Sequence, residues 1–307
     1  MANAREIQTR MRSIKDTLKI TNAMYLISST KLRKAKSTLE DTQPYFTTMQ
    51  RMLDKILSHI PEVRNQYFDP HRRKKPQERT KGLIVITADK GLAGAYNHNV
   101  LKLAHEQIDD PNWQGKCKLF VVGEAARHYF TALKYDIDEQ FRYTSQKPTL
   151  HRARIISMVV LEQFERQELD EVYIVYTYME NSFNMIPTIS QLLPLKDGQM
   201  GPDEMADELV MLPDSQALVD NIVPDVCRGY VFGALVESYC CEHNARMMAM
   251  DAAGKSARQI IKQLSLEYSR IRQGAITQEI TEVVAGAKSQ KKKRKAKEAA
   301  RNAARNA

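Results

Sequence analysis

The sequence predicts an α/β domain combined with two long helices that pair as an antiparallel coiled coil, and three observations carry this. Apolar residues recur at alternating intervals of four and three from Ile7 onward, and the same spacing returns near the C-terminus. Between the two stretches, short β-rich runs alternate with helical ones. With 307 residues the chain has room for two folded regions, at roughly 100–200 residues per domain. Its 43% hydrophobic content excludes disorder throughout.

The first segment, 1–60, is expected to be one coiled-coil helix. Ile7, Met11, Ile14, Leu18, Thr21, Tyr25, Ser28, Leu32, Ala35, Leu39, Thr42, Phe46, Met49, Leu53, Ile56 and Ile60 keep the four-three spacing without a break, and sustained 3.5-residue periodicity places one stripe against a partner helix. Thr21, Ser28 and Thr42 weaken that seam. Pro44 removes a backbone donor and is expected to kink the helix. A helix from about Ala4 to Ser58 would measure roughly 80 Å at 1.5 Å per residue, far longer than an ordinary globular helix, and so it needs a partner.

A charged linker, 61–81, leads into an α/β domain at 82–212. Gly82–Ala88, Cys117–Gly123 and Glu171–Tyr178 read as strands, whereas Asn97–Ile108, Glu124–Leu133 and Ala153–Gln167 read as helices. That alternation predicts a mostly parallel sheet in a Rossmann-like domain. Leu195–Leu212 is a turn-rich exit.

The second long helix occupies 213–288 and is expected to begin near Asp225, just after Pro224. Tyr230, Ala234, Glu237 and Cys241 open its pattern, and Ala257, Ile261, Leu264, Tyr268, Ile271 and Ala275 continue it in four-three spacing. Ile276, Ile280, Val283, Val284 and Ala287 follow. Gly254 and Gly274 each cost ~1 kcal/mol of helix propensity against alanine, which suggests close helix approach or a bend.

The formal net charge of +9 is concentrated in the last segment, 289–307, and its edge. From Lys288 to Ala307 nine Lys/Arg stand against Glu298 alone, which leaves the preceding 287 residues at +1. Lys291–Lys295 could bind nucleic acid, but a solvated tail is the plainer reading. Like charges on adjacent turns oppose a helix there, and the alanine-rich end is shorter than the ~12–15 residues an isolated helix needs. A mobile, exposed tail is therefore expected. Cys117, Cys227, Cys240 and Cys241 have neither CxxC nor zinc-ligand spacing, which points to reduced thiols. No apolar run reaches the ~18–20 residues of a membrane span, and Met1–Arg12 lacks the apolar core of a signal peptide.

Candidate chemistry is sparse. Asp89-Lys90-Gly91-Leu92-Ala93-Gly94 lies between a strand and a helix, where a phosphate loop would sit. It matches neither GxGxxG nor GxxxxGK[ST], and a tight turn meeting another protein is the alternative. Glu242, His243 and Arg246 share a helical stretch with no second ligand set, so His243 reads as a packed or interface histidine. Asp89, Glu279 and Glu282 read as surface or interface charges. No catalytic set, metal site or cofactor site is expected.

Ile276-Thr-Gln-Glu-Ile-Thr-Glu282 followed by Gly286-Ala287 resembles the C-terminal signature of a known family, the gamma subunits of F-type ATP synthase. Lys19-Ile-Thr-Asn-Ala-Met24 with Ser29-Thr-Lys-Leu-Arg33 is similar to that family's first helix. Asp89–Leu92, Pro187–Pro194 and Glu242–Met250 resemble its middle and later motifs, so that the resemblance covers residues 1–288. Ala93 stands where the family often has cysteine, Ser269 replaces a common asparagine, and the tail has no usual counterpart. The plastid regulatory insertion is absent, which suggests a bacterial type.

The resemblance implies a non-catalytic rotor shaft. It would transmit torque between a membrane c-ring and a ring of alternating alpha and beta subunits, coupling proton or sodium flow to ATP synthesis or hydrolysis. Arg272 and Gln273, with Lys90 and Thr277, would contact acidic loops of the beta subunits, and Met24 would face them. The α/β domain would bind the epsilon subunit and the c-ring. The location implied is the cytoplasmic side of a bacterial cell membrane, peripheral and through the complex. A nucleotide-binding enzyme and a nucleic-acid-bound scaffold are the rival readings.

Overall fold

The computed structural model describes residues 4–59, 67–68, 74–113, 115–138, 141–195 and 215–303. Its elements in chain order are α1 (Ala4–His59), β1 (Thr80–Ile86), α2 (Tyr96–Asp109), β2 (Lys116–Val122), α3 (Glu124–Ala132), α4 (Leu150–Glu165), β3 (Glu171–Met179), β4 (Met185–Leu193) and α5 (Ser215–Ala303). Two compact units form, Met1–Ala23 with Asp251–Ala307, and Met24–Met250.

In the Met24–Met250 unit the sheet has the order β2-β1-β3-β4. β1 pairs in parallel with both β2 and β3, as the strand-helix alternation predicts. β4 pairs antiparallel with β3 at the edge, so the sheet is mixed. Successive side chains of a strand point to opposite faces, and β1 is buried on both. Leu83 and Val85, with Leu119 and Val121 of β2, pack against Val100 and Ala104 of α2 and Phe130 of α3. Ile84, Ile86, Phe120 and Val122 join Ile156, Val160 and Phe164 of α4 and Phe232, Leu235 and Val236 of α5 on the other face. Thr149 caps α4 by accepting a hydrogen bond from the Arg152 N–H at 3.2 Å. Gly123 begins α3 at φ 96°, with the Thr87 carbonyl oxygen 2.3 Å from where a Cβ would stand, so only glycine fits.

The four-three stripe of α1 is the buried one. Thr21, Ser28 and Ala35 are buried, and Met11, Ile14, Leu18, Leu32, Leu39, Thr42, Phe46 and Met49 are partly so. Tyr25 is the exception: it is exposed, and Met24 takes the inward position. Side chains of the predicted positions Leu53, Ile56 and Ile60 lie outside what is described, as do residues 61–66 and 69–73 of the linker and 196–212 of the exit. Gly229 lets α5 approach α1 in the Met24–Met250 unit, because a Cβ there would lie 2.2 Å from the Phe46 ring. Phe46 meets Phe232 at 5.9 Å between ring centroids. In the other unit Gly254 is buried, with Leu18 and Asn22 as its nearest α1 side chains.

α5 departs from expectation at both ends. It begins at Ser215, ten residues before the expected start, and Pro224 lies inside it. The expected boundary treated Pro224 as a stop, but it lies in the third turn of the helix, where it removes the backbone bond to residue 220 and the helix continues past it. At the far end the helix runs through Lys291–Lys295 to Ala303. The length threshold for an isolated helix does not apply to a segment that extends a helix already nucleated. Every side chain described from Arg272 to Arg294 is exposed.

Candidate functional site: a loop gripped by a buried guanidinium, and an exposed helix end

β1 ends at Ile86 and its chain turns through Asp89–Gly94 into α2. The turn contains Leu92 at φ 62° and Gly94 at φ 56°, both left-handed. Lys90 and Leu92 are exposed at its tip, whereas Ala93 is buried beneath it. Asp89 is no free surface charge: it accepts from the Thr144 hydroxyl, from the Ser145 N–H at 3.3 Å and from the Glu124 N–H at 3.3 Å. The Asp89 N–H in turn donates to Ser145 Oγ at 3.1 Å, and the Ala88 N–H to Asn97 Oδ1 at 2.9 Å.

Beneath the loop α5 presents Glu242, His243 and Arg246, all buried. Arg246 Nη2 lies 2.7 Å from Glu242 Oε1, an i,i+4 ion pair. The same guanidinium donates to the carbonyl oxygens of Lys90 (3.2 Å) and Gly91 (3.2 and 3.3 Å) and to His243 Nδ1 (3.1 Å). Burial pushes the Glu242 carboxyl up, and Arg246 opposes that shift. His243 is depressed to about 3, first by burial and then by the positive charges of Arg246 and Lys31, so it is a neutral ring at physiological pH. It packs edge-on against Tyr239 at 4.3 Å.

This polarity is the reverse of a phosphate cradle, which turns backbone N–H groups toward its ligand. Here the Ala88 and Asp89 N–H groups are spent on side chains, two carbonyls face inward onto Arg246, and a carboxylate occupies the loop's base. Among the described residues no group of three or more His, Cys, Asp or Glu could hold a metal.

The five residues expected to touch a partner fall into both units. Met24 is partly buried and Lys90 exposed in one; Arg272, Gln273 and Thr277 are exposed in the other. The Thr277 hydroxyl donates to the Gln273 carbonyl at 2.9 Å, a local helical bond. Ile276, Ile280, Val283 and Val284 are also exposed, Ile280 at 59% and Val283 at 68% of their surface. The grip of Arg246 on the loop was not expected from the sequence. Its one local sign was a Glu242/Arg246 pair at i,i+4 on the helix.

The family model described as ATP synthase matches residues 3–289. The ATP synthase gamma chain of Ruminiclostridium cellulolyticum is 40% identical over 293 residues, covering 94% of this chain and 98% of that one. The "ATP synthase gamma chain, sodium ion specific" of Acetobacterium woodii is 35% identical over 305 residues, covering 94% and 98%. In fold the chain is similar to one from the mitochondrial ATP synthase of Euglena gracilis (OSCP/F1/c-ring, rotational state 3), with a TM-score of 0.62, 19% identity and 94% of each chain covered. Two long helices around a small mixed sheet, the exposed apolar helix end and a match along nearly the whole length agree: the chain belongs to the ATP synthase gamma chain family.

Proposed function

We propose that the chain is the central shaft of a bacterial F-type ATP synthase, without a catalytic site of its own. It carries torque between a membrane c-ring and a hexamer of alpha and beta subunits, coupling proton or sodium flow to ATP synthesis or hydrolysis. The observation that carries this reading is the helix end from Arg272 onward, which keeps Ile276, Ile280, Val283 and Val284 in solvent. A helical stretch that leaves four large apolar side chains uncovered is built to be enclosed by other chains. The α/β part supplies the surface for the epsilon subunit and the c-ring. No helix described is long and apolar enough to cross a membrane, so attachment to the cytoplasmic face of the membrane runs through the complex. That the solved neighbours of similar fold come from ATP synthase assemblies described with F1 and a c-ring supports partners of this kind.

Arg272 and Gln273, with Thr277, Lys90 and Met24, are the proposed contacts to the beta subunits. The Arg272 and Gln273 side chains are exposed and have no hydrogen-bond partner among the described residues, which leaves their donors available. A hydrogen bond to a charged partner contributes ~1.5–3 kcal/mol. If that stabilisation is realised in the rate-limiting step, replacing both residues by alanine slows ATP turnover by roughly one to two orders of magnitude. The test is steady-state hydrolysis by the purified complex carrying R272A/Q273A, with subunit content checked on a gel. Normal turnover in a fully assembled complex removes this pair from the drive contact. Failure of the wild-type chain to co-purify with alpha and beta subunits sinks the shaft reading itself.

A further inference from the structure

We propose that Arg246 is a positioning residue, a latch that ties the Asp89–Gly94 loop to α5, so that Lys90 is presented only as long as Arg246 holds the loop. Its effect on turnover rests on the shaft reading above; the latch itself is a property of the chain. Three independent features carry the proposal. The guanidinium is buried and its donors converge on the loop: Nε and Nη2 reach the Gly91 carbonyl, and Nη2 also reaches that of Lys90. Glu242 supplies the compensating charge from one turn away on the same helix, and His243 Nδ1 accepts the remaining contact. The fork is therefore fixed before it meets the loop.

The loop also holds a conformation that its own sequence does not favour. Leu92 is left-handed at φ 62°, a region that costs any residue carrying a Cβ and persists only when its surroundings impose it. Asp89 pins the loop's first turn through Thr144, Ser145 and the start of α3, and Arg246 pins the next two residues. Between these anchors Lys90 and Leu92 alone project, while Ala93 is packed underneath at 2% exposure. Lysine at 246 could keep the charge pair with Glu242 but cannot present a planar fork to two carbonyls at once.

The latch is tested on the full-length chain with A93C in a C117S background, by the rate at which a charged maleimide labels the buried position 93. R246M is expected to speed labelling at least ten-fold and R246K to give an intermediate rate. Equal rates in all three proteins overturn the latch. Should R246M fail to fold, R246K decides alone, since it keeps the buried charge. In the assembled complex, ATP turnover is then compared for K90A, R246K and the double variant. A positioning role predicts that adding R246K to K90A changes turnover by less than about two-fold, whereas losses that multiply overturn the proposal. Accelerated labelling with wild-type turnover in K90A keeps the latch and removes Lys90 from the drive contact; a wild-type chain that never enters the complex fails the shaft reading while labelling still decides the latch.

Discussion

The Met24–Met250 unit and the unit made of Met1–Ala23 with Asp251–Ala307 use the same helices for opposite ends. In the first, α5 contributes Phe232, Leu235 and Val236 to a core that also holds Phe120, Phe164 and Ile174. In the second, α5 buries Ala257 and Leu264 near its start and then, from Arg272, exposes every described side chain. Hydrophobicity alone does not separate the two: Ile280 and Val283 are as apolar as Ile84 and Val85. What differs is whether this chain supplies the neighbours. One unit completes its own interior, and the other leaves part of its surface for another molecule.

Substitutions sharpen that contrast. The largest expected effect is in the sheet. Phe120 is fully buried, and F120A should cost ~3–5 kcal/mol for the lost burial and the cavity left behind, read as a fall in the urea midpoint of the full-length chain. A loss below about 1 kcal/mol would show that this core is loosely packed and would weaken the comparison.

His243 gives the next effect, in pH dependence. Its folded-state value of about 3 lies below the ordinary ~6.5. As pH falls below ~6.5 the unfolded chain takes a proton that the folded chain refuses, so stability is lost on acidification and is fully present above ~6.5. At ~1.4 kcal/mol per pH unit, about 2 kcal/mol disappears between pH 6.5 and 5. H243Q should remove that part of the slope in urea titrations at several pH values; parallel curves for the two proteins would mean that the ring is solvated.

In the exposed stretch the expectation reverses. I280S/V283S should move the stability of the chain by no more than ~0.5 kcal/mol, yet weaken its retention in the purified alpha/beta complex. A large loss of stability in the chain alone would show that these residues have a partner within it. The smallest effect is expected from deleting Lys291–Ala307, with assembly and ATP hydrolysis unchanged within about two-fold at physiological salt. A truncated chain that assembles and loses most of its activity would make the tail a working part or a brake.

Much of the fold was legible because periodicity reports burial directly. The four-three spacing of α1 matches its buried positions from Ile7 to Met49, apart from Tyr25. β1, β2 and β3 were visible as β-branched and aromatic runs. β4 was not, because Pro187, Ser190 and Gln191 interrupt its pattern and an edge strand tolerates such residues. Pro224 misled in the opposite direction, being read as the end of a loop when it lies within a helix. The exposed residues Arg272, Gln273 and Lys90 were named through family resemblance, since nothing in spacing marks a surface contact. Arg246 was unreadable for another reason: its acceptors on the loop are 155 and 156 positions away, and no local pattern encodes a pairing at that distance.

The contact between Phe46 and Phe232 has a further consequence, for how the protein is made. α1 leaves the ribosome before α5, and the α5 residues that cover it in the Met24–Met250 unit follow it by nearly 190 positions, as Phe232 follows Phe46. At ~5–20 residues per second, roughly 10–40 s pass in which the α1 stripe is finished and its partner does not yet exist. During biosynthesis that stripe is an adhesive surface, and nascent chains on neighbouring ribosomes carry the same one. A trigger-factor-like chaperone bound to the first sixty residues would prevent pairing between chains until α5 arrives.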